Sequence, residues 1–427
     1  MDDPTAELPP SYDSGVSGRP GPLSGLSVVE LAGIGPAPYA ATLLADLGAD
    51  VVRVDRPSGS TSAVDPTKDP LRRSRRSIAI DLRDPDGIAV VEQLVGRADI
   101  LLEGFRPGVT ERLGLGPDRC LEINPRLVYG RITGWGNKGP LAHTAGHDIT
   151  YIAITGALDA IGRPGERPVP PANFVGDFGG GSTFLVIGIL AAVIEAQQSG
   201  RGQVVDAAIV DGASSLTAIL HGLIASGRWR EDQRGDNMLD GGFPWYDTYG
   251  TSDGKYVAVG ALEHEFYAQL LDRLGLDPRE YGDRSDRAKW SALRRALADA
   301  FRTRTRDEWS KLFSEGDACV APVLSLTEAA THPHLAARRT FVDVAGMTQP
   351  APAPRFSRTS PEDPEPAVAP GANSREILEE LAVSGIDNLL ARGAVTQHGE
   401  TVRGASERFP ASSSSTPRAA GKGSAHV

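Results

Sequence analysis

Residues 27–57 read SVVELAGIGPAPYAATLLADLGADVVRVDRP. Ser27–Leu31 is a short β-branched run that Gly33-Ile34-Gly35-Pro36 breaks. Tyr39–Leu47 then sets Ala41, Leu43, Leu44 and Leu47 at helical spacing and stops at Gly48. Ala49–Val54 is a second strand, ending in Asp55-Arg56-Pro57. Strand, helix and strand in that order predict a parallel pair joined by a right-handed crossover, the unit of an open α/β sheet. Glycines after the first strand and an acid closing the second outline a dinucleotide-binding fingerprint. Here Pro38 stands where the third glycine would be (Gly33-x-Gly35-x-x-Pro38). Proline gives neither the close helix–strand approach nor an amide for a pyrophosphate, so nicotinamide binding is disfavoured.

The alternation continues. Ile78–Leu82 and Asp99–Glu103 read as strands around a helix over Asp84–Val95, with Asp84 as its cap and Pro85 in its first turn. Pro117–Ile123 is a short helix and Leu127–Thr133 a further strand. Two segments carry arginines. Leu71–Ser77 holds Arg72, Arg73, Arg75 and Arg76, which read either as a solvated basic turn or as a phosphate grip. Gly104-Phe105-Arg106-Pro107-Gly108, with Arg112 behind it, follows a strand at the edge where open α/β sheets bind ligands.

After Gly134-Trp135-Gly136 the alternation stops. Residues 137–181 are glycine-rich and loop-like, with a helical piece expected at Tyr151–Leu158. Helices at Ser182–Gln198 and Asp211–Ser226 and a strand at Gln203–Ala208 are expected next. From about residue 228 the composition changes. Asp253-Gly254 between Tyr249–Thr251 and Tyr256–Val259 predicts a hairpin. With helices at Glu265–Leu274, Lys289–Arg302 and Thr305–Glu315, it outlines a smaller α+β domain. The expected organisation is a leader over 1–20, a large Rossmann-like domain over 21–225, a linker and small domain over 226–330, a return to the large domain over 331–392, and a tail over 393–427. The leader and the Ser/Pro/Gly-rich tail are expected to be disordered.

Bulk properties narrow the class. The chain has 427 residues and a formal net charge of −11, which argues against general nucleic-acid binding. Its longest strongly apolar stretch, Phe184–Ile194, is too short to span a bilayer, so no membrane partner is expected. The acidic, proline-rich first 15 residues have neither the basic start nor the apolar core of a signal peptide. Two cysteines, Cys120 and Cys319, offer neither a disulfide framework nor metal-ligand spacing, and a cytoplasmic location is the expectation.

Two short segments carry candidate chemistry: Gly146-His147-Asp148 and Gly176-Asp177-Phe178-Gly179-Gly180-Gly181. A lone histidine is more often structural than catalytic, and an aspartate before glycines is most often a turn former. The order of blocks adds what neither segment carries alone. GPLSGLSVVELAGIGPAPYAATLLADLGADVVRVDRP, EGFRPGVTERLGLGP, GHDITYIAITG, RPVPPANFVGDFGGGS, GQVVDAAIVDG, NMLDGG and DACVAPV follow one another over about residues 21–358. In these blocks the chain resembles the family III CoA-transferases (CaiB/BaiF) and, within them, the α-methylacyl-CoA racemases.

The resemblance implies an interlocked homodimer in which each protomer threads the other's ring, with the active site between the large domain of one subunit and the small domain of the other. It implies that His147 and Asp177 are the two acid/base residues and that Glu263 supports the histidine. Arg56, Arg75, Arg106 and Arg112 would hold the CoA phosphates and adenosine, with Gly104, Phe105, Asp148 and Tyr151 lining the same groove. The substrate would be a 2-methyl-branched acyl-CoA, with no metal and no cofactor beyond the CoA of the substrate. Residues after about Pro361 depart from the family's short C-terminus.

The chemistry fits the residue types. Inverting a centre next to a thioester needs a base on one face, an acid on the other and a stabilised enolate oxygen. A neutral imidazole and a carboxylate of raised pKa supply the first two. The glycines after Asp177, with a helix starting at Ser182, are the expected enolate stabiliser. On the same fold a CoA-transferase would use Asp177 as a nucleophile and would need no second base at His147. A non-catalytic CoA- or nucleotide-binding protein would use the arginines alone.

Overall fold

A computed structural model describes residues 19–57 and 64–399. Its centre is a seven-stranded sheet in the order β12-β3-β2-β1-β4-β5-β6. The strands are β1 (Ser27–Leu31), β2 (Asp50–Asp55), β3 (Arg76–Ile80), β4 (Ile100–Glu103), β5 (Val128–Thr133) and β6 (Gln203–Ala208), all parallel where they pair, and β12 (Val395–Thr396), antiparallel to β3. Period-two alternation divides the strand residues between two cores. Val29, Leu31, Val52, Val54, Leu101 and Tyr129 face one core, and Val28, Val51, Ile100, Leu102 and Val128 face the other.

The first core is roofed by α2 (Pro85–Val95) and α4 (Pro117–Ile123); α3 (Val109–Arg112) lies between these two in sequence. The second is covered by α1 (Pro36–Asp46) and α6 (Thr183–Ser199). Ahead of α6 lie α5 (Asp148–Ile154) and a π-helical turn over Phe174–Ser182. Turn and helix together, Phe174–Ser199, are long and apolar enough by length and composition to cross a membrane. Leu185, Val186, Ile189, Ala192, Val193 and Ala196 instead pack into the core that α1 also covers, which makes the stretch a core helix of an α/β layer.

The helix expected over Asp211–Ser226 is two helices, α7 (Ile209–Leu216) and α8 (Ala218–Ala225), broken at Thr217. The hairpin forms as expected from β7 (Tyr246–Gly250) and β8 (Tyr256–Gly260), and β9 (Val320–Pro322) joins it as a third strand. Around it α9 (His264–Leu274), α10 (Pro278–Tyr281), α11 (Trp290–Phe301) and α12 (Arg306–Phe313) bury a separate aromatic core containing Trp245, Tyr267, Phe301 and Trp309. The chain returns through α13 (Leu326–Thr331), α14 (Pro333–Ala337) and the hairpin β10 (Phe341–Val344)–β11 (Met347–Pro350).

Two expectations are corrected here. The tail does not begin at 393. The expected return to the large domain holds, with α15 (Ser374–Glu380) and α16 (Ile386–Ala391) putting Ile377, Leu378, Leu389 and Leu390 into the first core, but the chain stays in the fold past 393, where Val395 pairs with Ile80. The extension beyond Pro361 thus covers what would otherwise be the open edge of β3. Its Asn373 Oδ1 accepts from Ser77 N–H at 3.1 Å and its Ser374 Oγ from Ala79 N–H at 3.2 Å. The part of the tail from 400 on lies outside the described residues.

The arginine cluster is no phosphate grip either. Arg72, Arg73 and Arg75 are buried. Arg72 pairs with Asp55 at 2.6 Å, Arg73 with Asp46 at 2.5 Å and Arg75 with Glu30 at 2.7 Å. Arg76 pairs with Asp50 at 2.8 Å. Glu30 and Asp55 lie on adjacent strands, and Arg53 on β2 bridges them. Buried charge is tolerated only when paired, so these guanidinium groups are committed to the fold.

If the C-terminal extension is part of the core, Leu378→Ala should cost on the order of 3 kcal/mol in urea unfolding. Leu326→Ala, at a side chain 86 % exposed, should stay within about 0.5 kcal/mol. Equal effects for the two would contradict that reading.

Candidate active site

The chain runs β1-β2-β3 outward on one side and then crosses back to β4 on the other. The carboxyl ends of β1 and β4 therefore flank a switch point, where open sheets form a ligand crevice. Gly33–Pro36 leaves β1 there and Gly104–Pro107 leaves β4. A Cβ on Gly104 would lie 3.0 Å from Ala37 Cβ, so the second segment touches the start of α1 directly behind the first. Asp177 reaches the same place: a Cβ on Gly35 would lie 3.5 Å from its Oδ2.

Asp177 sits in the π-helical turn. A glycine-rich loop with a helix starting at Ser182 was the expectation; the helical path begins at Phe174 instead, so Ser182 is not its N-terminus. The cause is packing that glycine's own propensity does not reveal. A Cβ on Gly180 would come 2.5 Å from Ala213 N, and one on Gly212 would come 1.8 Å from Gly180 O. α7 crosses the turn backbone against backbone. Ser182 Oγ then lies 2.8 Å from Pro36 O and 3.0 Å from Asp177 O, tying the turn to the start of α1.

Burial raises the Asp177 carboxyl to about 6; the neighbouring Asp148 carboxylate adds to this, and a hydrogen bond with Asn173 and the nearby His147 partly offset it. Asp148 is buried, and its Oδ1 accepts from Asp177 N–H at 2.7 Å.

His147 is the N-cap of α5, in an extended conformation, and is exposed. Thr150 clamps its backbone: the hydroxyl accepts from His147 N–H at 3.0 Å and donates to His147 O at 2.7 Å. The backbone is fixed and the imidazole is left at the surface. Tyr151, one residue on, stacks edge-on against Trp135 with ring centroids 4.7 Å apart. Gly134 and Gly146 make room for it, since a Cβ at either would fall within 2.4 Å of its ring. Burial and Asp177 raise its phenol, while Arg106 opposes them, so Tyr151 lies within electrostatic reach of both.

Arg106 and Arg112 are exposed after β4, and Arg56 is exposed after β2, all at the carboxyl edge of the sheet. Phe105 is half-buried, its N–H held by Glu103 Oε2 at 2.7 Å. Arg75 does not join them. Its side chain is 1 % exposed, paired with Glu30 and donating to Pro38 O at 2.6 Å, so it is corrected from ligand to scaffold. Glu263 is exposed at the N-cap of α9 in the smaller unit, where its charge acts on Arg284 and Cys319. Among the described residues no hydrogen bond or ion pair joins it to His147.

Reading the sequence missed Thr150, Asn173 and Gly212, and read Gly35 only as part of a dinucleotide outline. Thr150 alone had a local signal, a hydroxyl three residues after an N-cap.

Residues 23–374 match the family model described as CoA-transferase family III. The chain belongs to that family. It is 44 % identical over 367 residues to a mouse (Mus musculus) α-methylacyl-CoA racemase, covering 85 % of this chain and 94 % of the relative. An acetyl-CoA:oxalate CoA-transferase from Acetobacter aceti is 30 % identical over 348 residues, covering 77 % and 88 % respectively. Among solved structures, a CAIB/BAIF family protein from Brucella suis superposes with a TM-score of 0.74 at 28 % identity, over 85 % of this chain and all of that one. The architecture is thus that of the family III fold.

Gly212→Ala should break the crossing of α7 over the turn. Overpacking of this kind costs about 1–3 kcal/mol, read as a lower urea midpoint, and displaces Asp177 enough to lower turnover about 100-fold. Wild-type stability and turnover in that variant would contradict the role given to the crossing.

Proposed function

We propose that the protein is a racemase that interconverts (2R)- and (2S)-2-methylacyl-CoA thioesters by moving one proton off and another onto the α-carbon. The observation that carries this reading is the pairing at one crevice of two unlike titratable groups. One is an exposed imidazole with a clamped backbone, and the other a half-buried carboxyl raised to about 6. A carboxyl held near the working pH exchanges its proton in either direction. Of the pair, one removes the α-hydrogen, and the other, across the substrate, returns a proton to the opposite face. His147 and Asp177 take these roles, alternating with the direction of reaction.

The similarity to racemases at 44 % and 43 % identity, against 30 % to CoA-transferases, supports the same choice. The thioester oxygen, which carries the enolate charge, is met by N–H groups in the first turn of α5, which begins directly after His147.

Arg56, Arg106 and Arg112 bind the CoA phosphates and adenosine, and Gly104, Phe105 and Tyr151 form the floor of that groove. CoA enters as part of the substrate, and the reaction needs no other cofactor. Scarcity of cysteine favours the cytoplasm.

The working unit in this reading is an interlocked homodimer. α8 buries none of its residues within its own chain although it reads AILHGLIA, and Ile219 is 62 % exposed. An apolar helix left this exposed among the described residues marks an interface. Closure of the dimer brings Glu263 of the partner subunit to His147. Light scattering should give twice the mass of the 45.0 kDa chain, and a monomer at working concentration would contradict the arrangement.

The deciding assay is run in deuterium oxide on a 2-methylacyl-CoA with no acceptor acid present. The racemase reading expects deuterium at the α-carbon together with inversion, and loss of inversion in His147→Ala and Asp177→Ala with CoA binding retained. No uptake, together with hydroxylamine-sensitive inactivation by acyl-CoA, would assign the protein to the transferase reaction, with Asp177 as nucleophile.

A further inference from the structure

Asp148 follows His147 directly and has no part in the two-base scheme. An acid in the first turn of a helix ordinarily serves the helix dipole. Its side chain here is turned into the protein. Oδ1 accepts from the Asp177 N–H at 2.7 Å, and among the described residues Oδ2 is buried without a hydrogen-bond partner. The approach depends on Gly176, because a Cβ there would fall 2.3 Å from Oδ1. A buried carboxylate oxygen left without a donor is costly, and a second carboxyl beside it makes the arrangement costlier. Nothing in the fold requires that cost. The hydrogen bond needs only a neutral acceptor.

We infer that Asp148 is a positioning residue: its Oδ1 fixes the backbone at Asp177 and sets a second carboxylate beside that side chain. This rests on the reading of Asp177 as an acid/base group. The other groups that face Asp177 are His147 at the start of α5, Tyr151 one turn on, Asn173 before the turn, and the backbone at Gly35 after β1. Arg106 faces Tyr151 from the β4 side. None of these brings a second carboxylate. His147 and Asn173 pull the other way.

The sign of the effect follows. Asp177 takes a proton only when ionised, so in the direction where it is the base, kcat/KM falls as pH drops through about 6. Removing the Asp148 charge makes ionisation easier and moves that acidic limb to lower pH.

Asp148→Asn keeps an oxygen acceptor for the Asp177 N–H and removes the charge; Asp148→Ala removes both. The expected result for Asp148→Asn is a limb shifted down by on the order of one pH unit. For Asp148→Ala a fall in kcat of about 100-fold is expected, as for a displaced catalytic group. A 13C carboxyl titration of Asp177, assigned with Asp177→Asn, is run on wild type and Asp148→Asn without substrate. It reads the charge effect even if the racemase assay fails. An unshifted Asp177 titration in Asp148→Asn would overturn the electrostatic role, and full turnover in Asp148→Ala would overturn the positioning role. A shifted titration in a protein that exchanges no α-hydrogen would keep the inference and discard the racemase reading.

Discussion

The crossing of α7 over the turn at Gly180, closer than any side chain allows, is the constraint from which the site follows. A Cβ on Gly212 would overlap the Gly180 carbonyl at 1.8 Å, so both positions must be glycine for the crossing to exist. That crossing supports a π-helical path in a segment whose own propensity is poor. The turn in turn aims the Asp177 carboxyl at Gly35, at the mouth of the switch-point crevice. Ser182 fastens the far end of the turn to Pro36 and Asp148 fastens the near end at Asp177 N–H. A carboxyl held from three sides keeps its geometry without reorganising.

Buried charge serves opposite ends in two places. Beneath α1, Glu30 and Asp55 are matched by Arg53, Arg72 and Arg75, and Asp46 by Arg73. Each charge has a partner, and the cluster is structural. At the crevice, Asp148 and Asp177 are two carboxyls with no cation paired to either in the described residues, and the proton affinity of Asp177 rises accordingly. Unmatched charge of this kind is what a proton-transfer site uses and a scaffold avoids.

Much of this was legible in the sequence because its signals are local. The β1–α1–β2 unit, the Asp84 cap, the Asp253-Gly254 hairpin and the alternation of strands and helices along the chain follow from periodicity and turn chemistry. His147 and Asp177 were singled out, and the fold brings both to the carboxyl edge of the sheet. The failures share one cause. The burial of Arg72, Arg73 and Arg75 depends on acids some 17 to 45 residues away. β12 pairs with a strand more than 300 residues earlier, and the π turn depends on α7. A four-arginine run reads as surface until its partners are known, and a Gly-Gly-Gly run reads as a loop until something is packed against it.

The central claim is that two different residues act on opposite faces of one α-carbon. The most direct measurement is deuterium uptake from each pure enantiomer of a 2-methylacyl-CoA, followed separately in His147→Ala and Asp177→Ala. With two bases, each variant keeps uptake without inversion from one enantiomer and loses it from the other, and the retained enantiomer is opposite in the two variants. Uptake lost equally from both enantiomers in both variants, or retained from both in either, would contradict it.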